Sequence, residues 1–216
     1  MSAPDKRDLR HAARARRRGL AASMDREASA AALAEAVLRF VPDPSRVAVY
    51  ESLPDEPPTG RLVEELLDAG HEVIVPVVLD DWSLQWRYAV RGASGDRATV
   101  SRPSRLAAAA DTGTATDTAT DTDTDAYAAR DGWLGTDALA TCDLVVTPGL
   151  SVDAHGTRLG QGGGCYDRAL LHRDSAAPVI TLLHEGEQSE SDLPSDDHDV
   201  PVDGYVTTTG RVVRLR

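Results

Sequence analysis

A chain of 216 residues is long enough for one well-packed domain and short for two, and 41% hydrophobic content with only 4% aromatics implies a core of Ala, Val and Leu. No apolar run approaches the roughly 20 residues that a membrane span needs, and a net charge of −12 argues against nucleic acid as a partner for most of the surface. The two cysteines, Cys142 and Cys165, form no C-x-x-C pair and support neither a disulfide framework nor a structural zinc site.

The charge is uneven. Residues 1–20 carry Lys6 and six arginines against Asp5 and Asp8, a net of +5, which leaves −17 for the remainder. This start reads as a charged helix rather than a signal peptide and points to the cytoplasm. Ser2-Ala3-Pro4-Asp5 resembles a capping box and predicts a helix from about Pro4 to Leu20. Lys6, Arg10 and Arg14 fall on one face of it at i, i+4 spacing. Lys6 is the only lysine of the chain, which suggests a need for a compact, flexible ammonium there; a solvated basic face gives the same pattern. No aromatic is interleaved with these charges, so a nucleic-acid surface is the weaker reading.

A second helix is predicted from Asp25 to Phe40, then a strand over Arg46–Tyr50 and a Pro-rich loop, Glu51 to Thr59. Glu56 lies in that loop at the carboxyl end of a strand, where open α/β sheets place ligand contacts; an exposed loop carboxylate is the plain alternative. Arg61 to Ala69 reads as an amphipathic helix ended by Gly70. Val73 to Val78 reads as a buried strand with Pro76 near its end. Trp82, Leu84, Trp86 and Tyr88 alternate as a half-buried strand should, and packing is the expected role of both tryptophans, with a stacking role for either as the alternative. Ala107 to Asp131 is alanine followed by a Thr/Asp repeat, without Leu, Ile, Val or Phe. It cannot bury enough to offset its ordering entropy and is expected to be a disordered surface insertion. A short helix around Asp137 to Ala140 precedes the strand Leu144–Val146.

The stretch from Thr147 to Arg168 carries the chemistry. Gly160, Gly162, Gly163 and Gly164 stand between that strand and a helix-like run, Tyr166 to Arg173. Glycines there let successive backbone N–H groups turn toward one anion, and a first helical turn adds unpaired donors. Arg158 brings a guanidinium suited to phosphate oxygens, and Asp167 a carboxylate suited to magnesium. A flexible turn is the alternative. The spacing is neither a P-loop nor a dinucleotide fingerprint. A strand follows at Val179–His184, an acidic loop at Glu185–Asp197, and short strands at Tyr205–Thr208 and Val212–Leu215. Strands alternating with helices predict one α/β domain over 1–216, a doubly wound, mostly parallel sheet with helices on both faces.

Taken in order, Lys6-Arg7-Asp8-Leu9-Arg10, Tyr50 through Glu56 to Thr59, Pro148-Gly149-Leu150, Asp153, Gly156, Arg158-Leu159-Gly160, Gly162, Gly164, Tyr166-Asp167-Arg168, His198-Asp199 and Val202-Asp203 span nearly the whole chain. With them the sequence resembles the 5-formyltetrahydrofolate cyclo-ligases, also called methenyltetrahydrofolate synthetases. The resemblance implies a monomer whose partners are ATP and a reduced folate, with Mg2+ as cofactor and no nucleic acid or membrane. It implies closure of 5-formyltetrahydrofolate to 5,10-methenyltetrahydrofolate with release of ADP and phosphate. Lys6, Arg158 and Asp167 are then catalytic. Lys6, Arg7, Asp8, Leu9 and Arg10, with Arg158, Leu159, Gly160, Gln161, Gly162, Gly163, Gly164, Cys165 and Tyr166, meet ATP. Arg10, Glu56 and Tyr166 meet the folate, and Asp167 and Asp199 hold the metal. No residue need be a covalent nucleophile.

Cys165 departs from the family pattern, which has an aromatic there, and a cysteine beside glycines at a helix start can carry a lowered pKa. Arg102-Pro103 stands where a Glu-Pro pair is usual, and the Thr/Asp insertion follows it. Two alternatives stay open: a family paralogue with another substrate, and a non-catalytic phosphate- or nucleotide-binding module. The second would not need Asp167 and Asp199 together with Lys6.

Overall fold

The structure, a computed structural model, describes residues 5–39, 41–91, 133–196 and 198–215. The insertion expected at 107–131, Arg102-Pro103 and residues 2–4 lie outside the described residues. The first helix, α1, spans Lys6–Ser23 with Asp5 as its N-cap, the carboxylate accepting from the Arg7 N–H, so the cap lies three residues beyond the Ser2 of the predicted box. Helix α2 (Arg26–Leu38) is capped by Asp25. Strand β1 (Arg46–Val49), helix α3 (Gly60–Asp68), strand β2 (Glu72–Val78) and strand β3 (Leu84–Tyr88) complete the first half.

The second half holds a 3-10 turn at Ala138–Thr141, strand β4 (Leu144–Pro148), the short strands β5 (Ser151–Val152) and β6 (Arg158–Leu159), and helix α4 (Cys165–Ala169). A 3-10 turn (Leu170–His172) and strands β7 (Val179–Leu183), β8 (Gly204–Thr207) and β9 (Val212–Arg214) follow. Seven strands form one sheet in the order β3-β2-β1-β4-β7-β8-β9, parallel except at the two edges, where β3 and β9 run antiparallel to their neighbours. The chain winds outward from β1 in one direction and from β4 in the other, so the β1/β4 junction is the topological switch point.

Period-two alternation divides the core. Val47, Val49, Val146, Ile180 and Leu182 face Leu33 and Val37 of α2 and Leu62 and Leu66 of α3. Ala48, Val145, Val179 and Leu183 face the other side with Leu139, Leu170, Val202 and Trp86. Helices α2 and α3 therefore cover one face, and the five-residue α4 with the two 3-10 turns packs on the other.

Several local expectations differ. Pro76 lies inside β2, not near its end; β1 pairs with β2 only as far as Ile74, so Pro76 breaks no ladder on that side. Leu84, Gln85 and Trp86 are all buried instead of alternating, because the segment at Trp133–Leu134 returns along the outer edge of β3, the Leu134 N–H donating to the Trp86 carbonyl. The glycine block is not a simple strand–loop–helix. An antiparallel β5–β6 hairpin stands between β4 and the glycines, and the run predicted as one helix from Tyr166 to Arg173 is five helical residues and then a 3-10 turn.

Asp153 organises that hairpin. Its Oδ1 accepts from the N–H groups of His155 and Thr157, and its Oδ2 from that of Leu193 in the acidic loop. Gly156 sits at the turn with φ +84, and a Cβ there would overlap the Val202 carbonyl oxygen. Gly156→Ala combines a left-handed strain with a backbone clash, and the predicted loss is about 2 kcal/mol or more, read as a lowered denaturation midpoint in urea. An unchanged midpoint would show that the hairpin is not held against Val202.

Candidate active site

Strand ends at a switch point leave a crevice that adjoining loops line. Here it is a cavity of about 480 Å3. Tyr50, Glu51 and Glu56 come from the loop after β1, Pro148 and Gly149 from the end of β4, and the whole run from Arg158 to Asp167 from the hairpin, glycine loop and α4. Lys6 and Arg10 enter from α1, and Asp196, His198 and Asp199 from the acidic loop. Of the residues singled out in the sequence, Lys6, Arg10, Glu56, Arg158, Leu159, Gly160, Gln161, Gly162, Gly163, Gly164, Cys165, Tyr166, Asp167 and Asp199 all line this one cavity. Arg7, Asp8 and Leu9 do not; Arg7 and Asp8 are exposed on the helix.

The basic face of α1 is consumed by specific contacts. Lys6 Nζ meets Asp196 at 2.6 Å and Asp199 at 2.5 Å. Arg10 Nε donates to the Gly160 carbonyl at 3.1 Å, and Arg14 reaches the side chain and carbonyl of Gln161. The glycine loop is thus strapped to the helix by its carbonyls, with Gly162 and Gly164 at positive φ. Burial disfavours the Lys6 charge, but the two aspartates outweigh it and hold the ammonium above its ordinary value. Burial likewise works against the Asp199 carboxylate, yet the Lys6 hydrogen bond and the Asp196 N–H bring it below the usual range.

Arg158 is fixed from several sides. Nη1 donates to the Pro148 carbonyl at 3.1 Å, Nη2 meets Asp167 at 2.5 Å, and the guanidinium lies 5.9 Å from the Tyr166 ring centroid, a cation–π contact. Its Nε and the Tyr166 hydroxyl have no hydrogen-bond partner among the described residues. Burial raises the Tyr166 phenol far above its ordinary value, so it is a hydrogen-bond donor, not a phenolate. Burial also raises the Cys165 thiol, against opposition from Arg168 and its own backbone. The lowered value that its position suggested is therefore not realised: burial outweighs the help of Arg168 and of a helix only five residues long.

Glu56 is 5% exposed in a braced loop: Thr59 donates to the Tyr50 carbonyl, Tyr50 to that of Pro57, and the Leu53 N–H to the Glu56 carboxylate at 3.0 Å. Burial pushes its carboxyl upward, with the Leu53 N–H and Arg17 opposing. Two features were missed. Arg17 is buried beneath this loop, its signal being only a continuation of the Arg10–Arg14 face. Trp82, expected to pack, is 59% exposed with φ 66 and lines the cavity, held over Gly163 because Arg168 Nη2 donates to the carbonyls of both; Trp86 does pack, at 0%.

Among the described residues, Asp196, His198 and Asp199 form a group that could hold a metal ion, with donor atoms within 4.8 Å of one another. Asp167 is engaged by Arg158 instead.

The sequence profile of the 5-formyltetrahydrofolate cyclo-ligase family matches residues 2–208. The chain belongs to this family. It is 29% identical to the 5-formyltetrahydrofolate cyclo-ligase of Mycolicibacterium smegmatis over 179 residues, covering 79% of this chain and 77% of that protein. The Mus musculus protein of the same name is 26% identical over 164 residues, covering 73% and 70%. The solved structure of an Aquifex aeolicus 5,10-methenyltetrahydrofolate synthetase superposes with a TM-score of 0.61 at 25% identity, covering 98% of this chain and 93% of that one. One from Mycoplasma pneumoniae gives 0.61 at 17%, covering 93% and 96%. The cyclo-ligase is an ATP-dependent ligase by family, with an α/β fold. No helix among the described residues is long and apolar enough to cross a membrane.

The contacts of Lys6 set a pH window for the docking of α1 in this cyclo-ligase. The raised Lys6 value means its share is full below its ordinary value and lost only as pH climbs through the raised one. The lowered Asp199 value means its share is full above the carboxylate range and lost as pH falls through the lowered one. Exchange protection of the α1 amides should therefore hold through neutral pH and fall on acidification below about pH 4, ahead of the β4 and β7 amides. Loss of α1 and sheet protection at the same pH would contradict this.

Proposed function

We propose that the protein closes 5-formyltetrahydrofolate to 5,10-methenyltetrahydrofolate at this cavity, consuming ATP with magnesium and acting as a monomer in the cytoplasm. The observation that carries the reading is that the phosphate-type groups, Lys6, Arg10, Arg158 and the glycine loop, share one cavity with a buried carboxylate, Glu56. A nucleotide and a second, acid-recognised molecule can meet there.

The amide-like formyl group of the folate has a poor leaving oxygen. Its attack on the γ-phosphorus of ATP forms an O–P bond and releases ADP. N10 then bonds to the activated carbon, loses its proton, and the C–O bond breaks to release phosphate. Arg158 faces the transferring group with its charge held in place by the Pro148 carbonyl and Asp167, so it stabilises the group without reorganising, and Lys6 brings a second cation to it by exchanging its aspartate partners for phosphate oxygens. Asp167 keeps the Arg158 guanidinium in one orientation. Glu56 accepts hydrogen bonds from the folate, and Arg10 and Tyr166 border both substrates. The donor set fits magnesium through its carboxylates, hard oxygen ligands: Asp199 and Asp196 would hold the ion, with Asp167 on the same cavity. Bound there, magnesium would neutralise phosphate charge. Leu159, Gln161, Gly163 and Cys165 border the nucleotide, whereas Arg7, Asp8 and Leu9 stand outside the cavity.

A rise in methenyltetrahydrofolate absorbance when purified protein meets 5-formyltetrahydrofolate and Mg-ATP tests the reading. Lys6→Ala and Asp199→Asn should each lower turnover by roughly a hundredfold or more. Lys6→Ala should mainly weaken ATP, and Asp199→Asn should mainly raise the magnesium requirement. Wild-type rates in both variants at limiting Mg-ATP would remove these assignments. No product from wild type would leave the paralogue in its place.

A further inference from the structure

Arg17 is a charged group that the reaction as described leaves unused. It projects from α1, is 1% exposed and does not line the cavity. Nε donates to Glu187 Oε1 at 2.7 Å and Nη2 to Oε2 at 2.8 Å, and Nη2 also donates to the Gly149 carbonyl. Nη1 has no hydrogen-bond partner among the described residues and lies 4.0 Å from Glu56 Oε1. One guanidinium thus touches α1, the end of β4, the loop after β7 and the loop after β1.

Arg17 and Glu187 neutralise each other, so Glu56 leaves this buried group with a net negative charge. The charged and titratable groups acting on Glu56 are Arg17 from α1, Tyr50 after β1, Asp55 in its own loop, Tyr166 of α4 and Glu187 after β7. Arg17 is the cation among them. A carboxylate at 5% exposure with a single N–H donor would otherwise favour the neutral acid.

We propose that Arg17 is a positioning residue for the reaction: its Nη1 edge holds the Glu56 carboxylate from behind, so that Glu56 meets the folate in one orientation and as an anion. The inference rests on the reading of Glu56 as the acidic folate contact. Helix α1 then serves both substrates, through Lys6 and Arg10 for the nucleotide and through Arg17 for the folate.

Removing Arg17 alone would strand Glu187 in the interior, so the test pairs Arg17→Met with Glu187→Gln. In the full chain without substrates, the Glu56 carboxyl is titrated by carbon-13 NMR, its signal assigned by loss in Glu56→Gln. In the double variant Glu56 should titrate higher than in wild type, because Arg17 acts on it more strongly than Glu187 does. The KM for 5-formyltetrahydrofolate should rise on mild acidification at a higher pH in the double variant than in wild type, and recover as pH is raised, since the carboxylate returns above its new value; the KM for ATP should not move. An unchanged Glu56 titration overturns the proposal. If the double variant does not fold, Glu187→Gln alone decides: the released guanidinium turns to Glu56, whose titration should fall, and no fall overturns the proposal. A shifted Glu56 with an unmoved folate KM would keep the Arg17–Glu56 coupling and overturn the assignment of Glu56 to folate.

Discussion

The site depends on a helix that docks by charge. Helix α1 buries no apolar side chain completely; its one fully buried residue is Arg17. Lys6, Arg10, Arg14 and Arg17 instead meet two aspartates, three backbone carbonyls, a glutamine side chain and a buried glutamate across more than a hundred residues of sequence. Apolar contact would allow a helix to slide, whereas these contacts are directional and fix its register. A buried ion pair such as Arg17–Glu187 is weak evidence of stability, because desolvation offsets much of its attraction. It is better evidence that one arrangement of the four segments around it is selected.

That docking explains how a chain of strongly acidic composition can receive a polyanion. The cations of residues 1–20 are not a diffuse patch. Lys6 and Arg10 are carried to the carboxyl ends of β1 and β4, where the sheet reverses its winding and leaves a crevice. The acidic loop that holds Lys6 brings Asp196, His198 and Asp199 together with donor atoms within 4.8 Å of one another. The hairpin that Asp153 and Gly156 hold against Val202 sets where the glycine loop begins.

Much of this was legible in the sequence. The sheet and its helical cover follow from short apolar runs and an amphipathic pattern, because the central strands β4 and β7 bury both faces and α3 buries one. The glycine block, the lone lysine and Glu56 could be singled out because residue type alone restricts their chemistry. Arg17 could not, since nothing in an arginine-rich run marks which guanidinium turns inward; that is decided by Glu187, 170 positions away. Trp82 was misjudged because alternation predicts strand geometry, and Trp82 stands at positive φ in the turn before β3. The five-residue α4 was overestimated because its apolar pattern runs on through the 3-10 turn.

The central claim is that the nucleotide's terminal phosphate and the folate's formyl oxygen meet in one cavity and exchange a bond. Cyclisation of 5-formyltetrahydrofolate labelled with oxygen-18 in the formyl group, followed by mass analysis of the inorganic phosphate, tests this directly. The account predicts that the label appears in the phosphate, one atom for each methenyltetrahydrofolate formed. Unlabelled phosphate, with the heavy oxygen released to water, would contradict it.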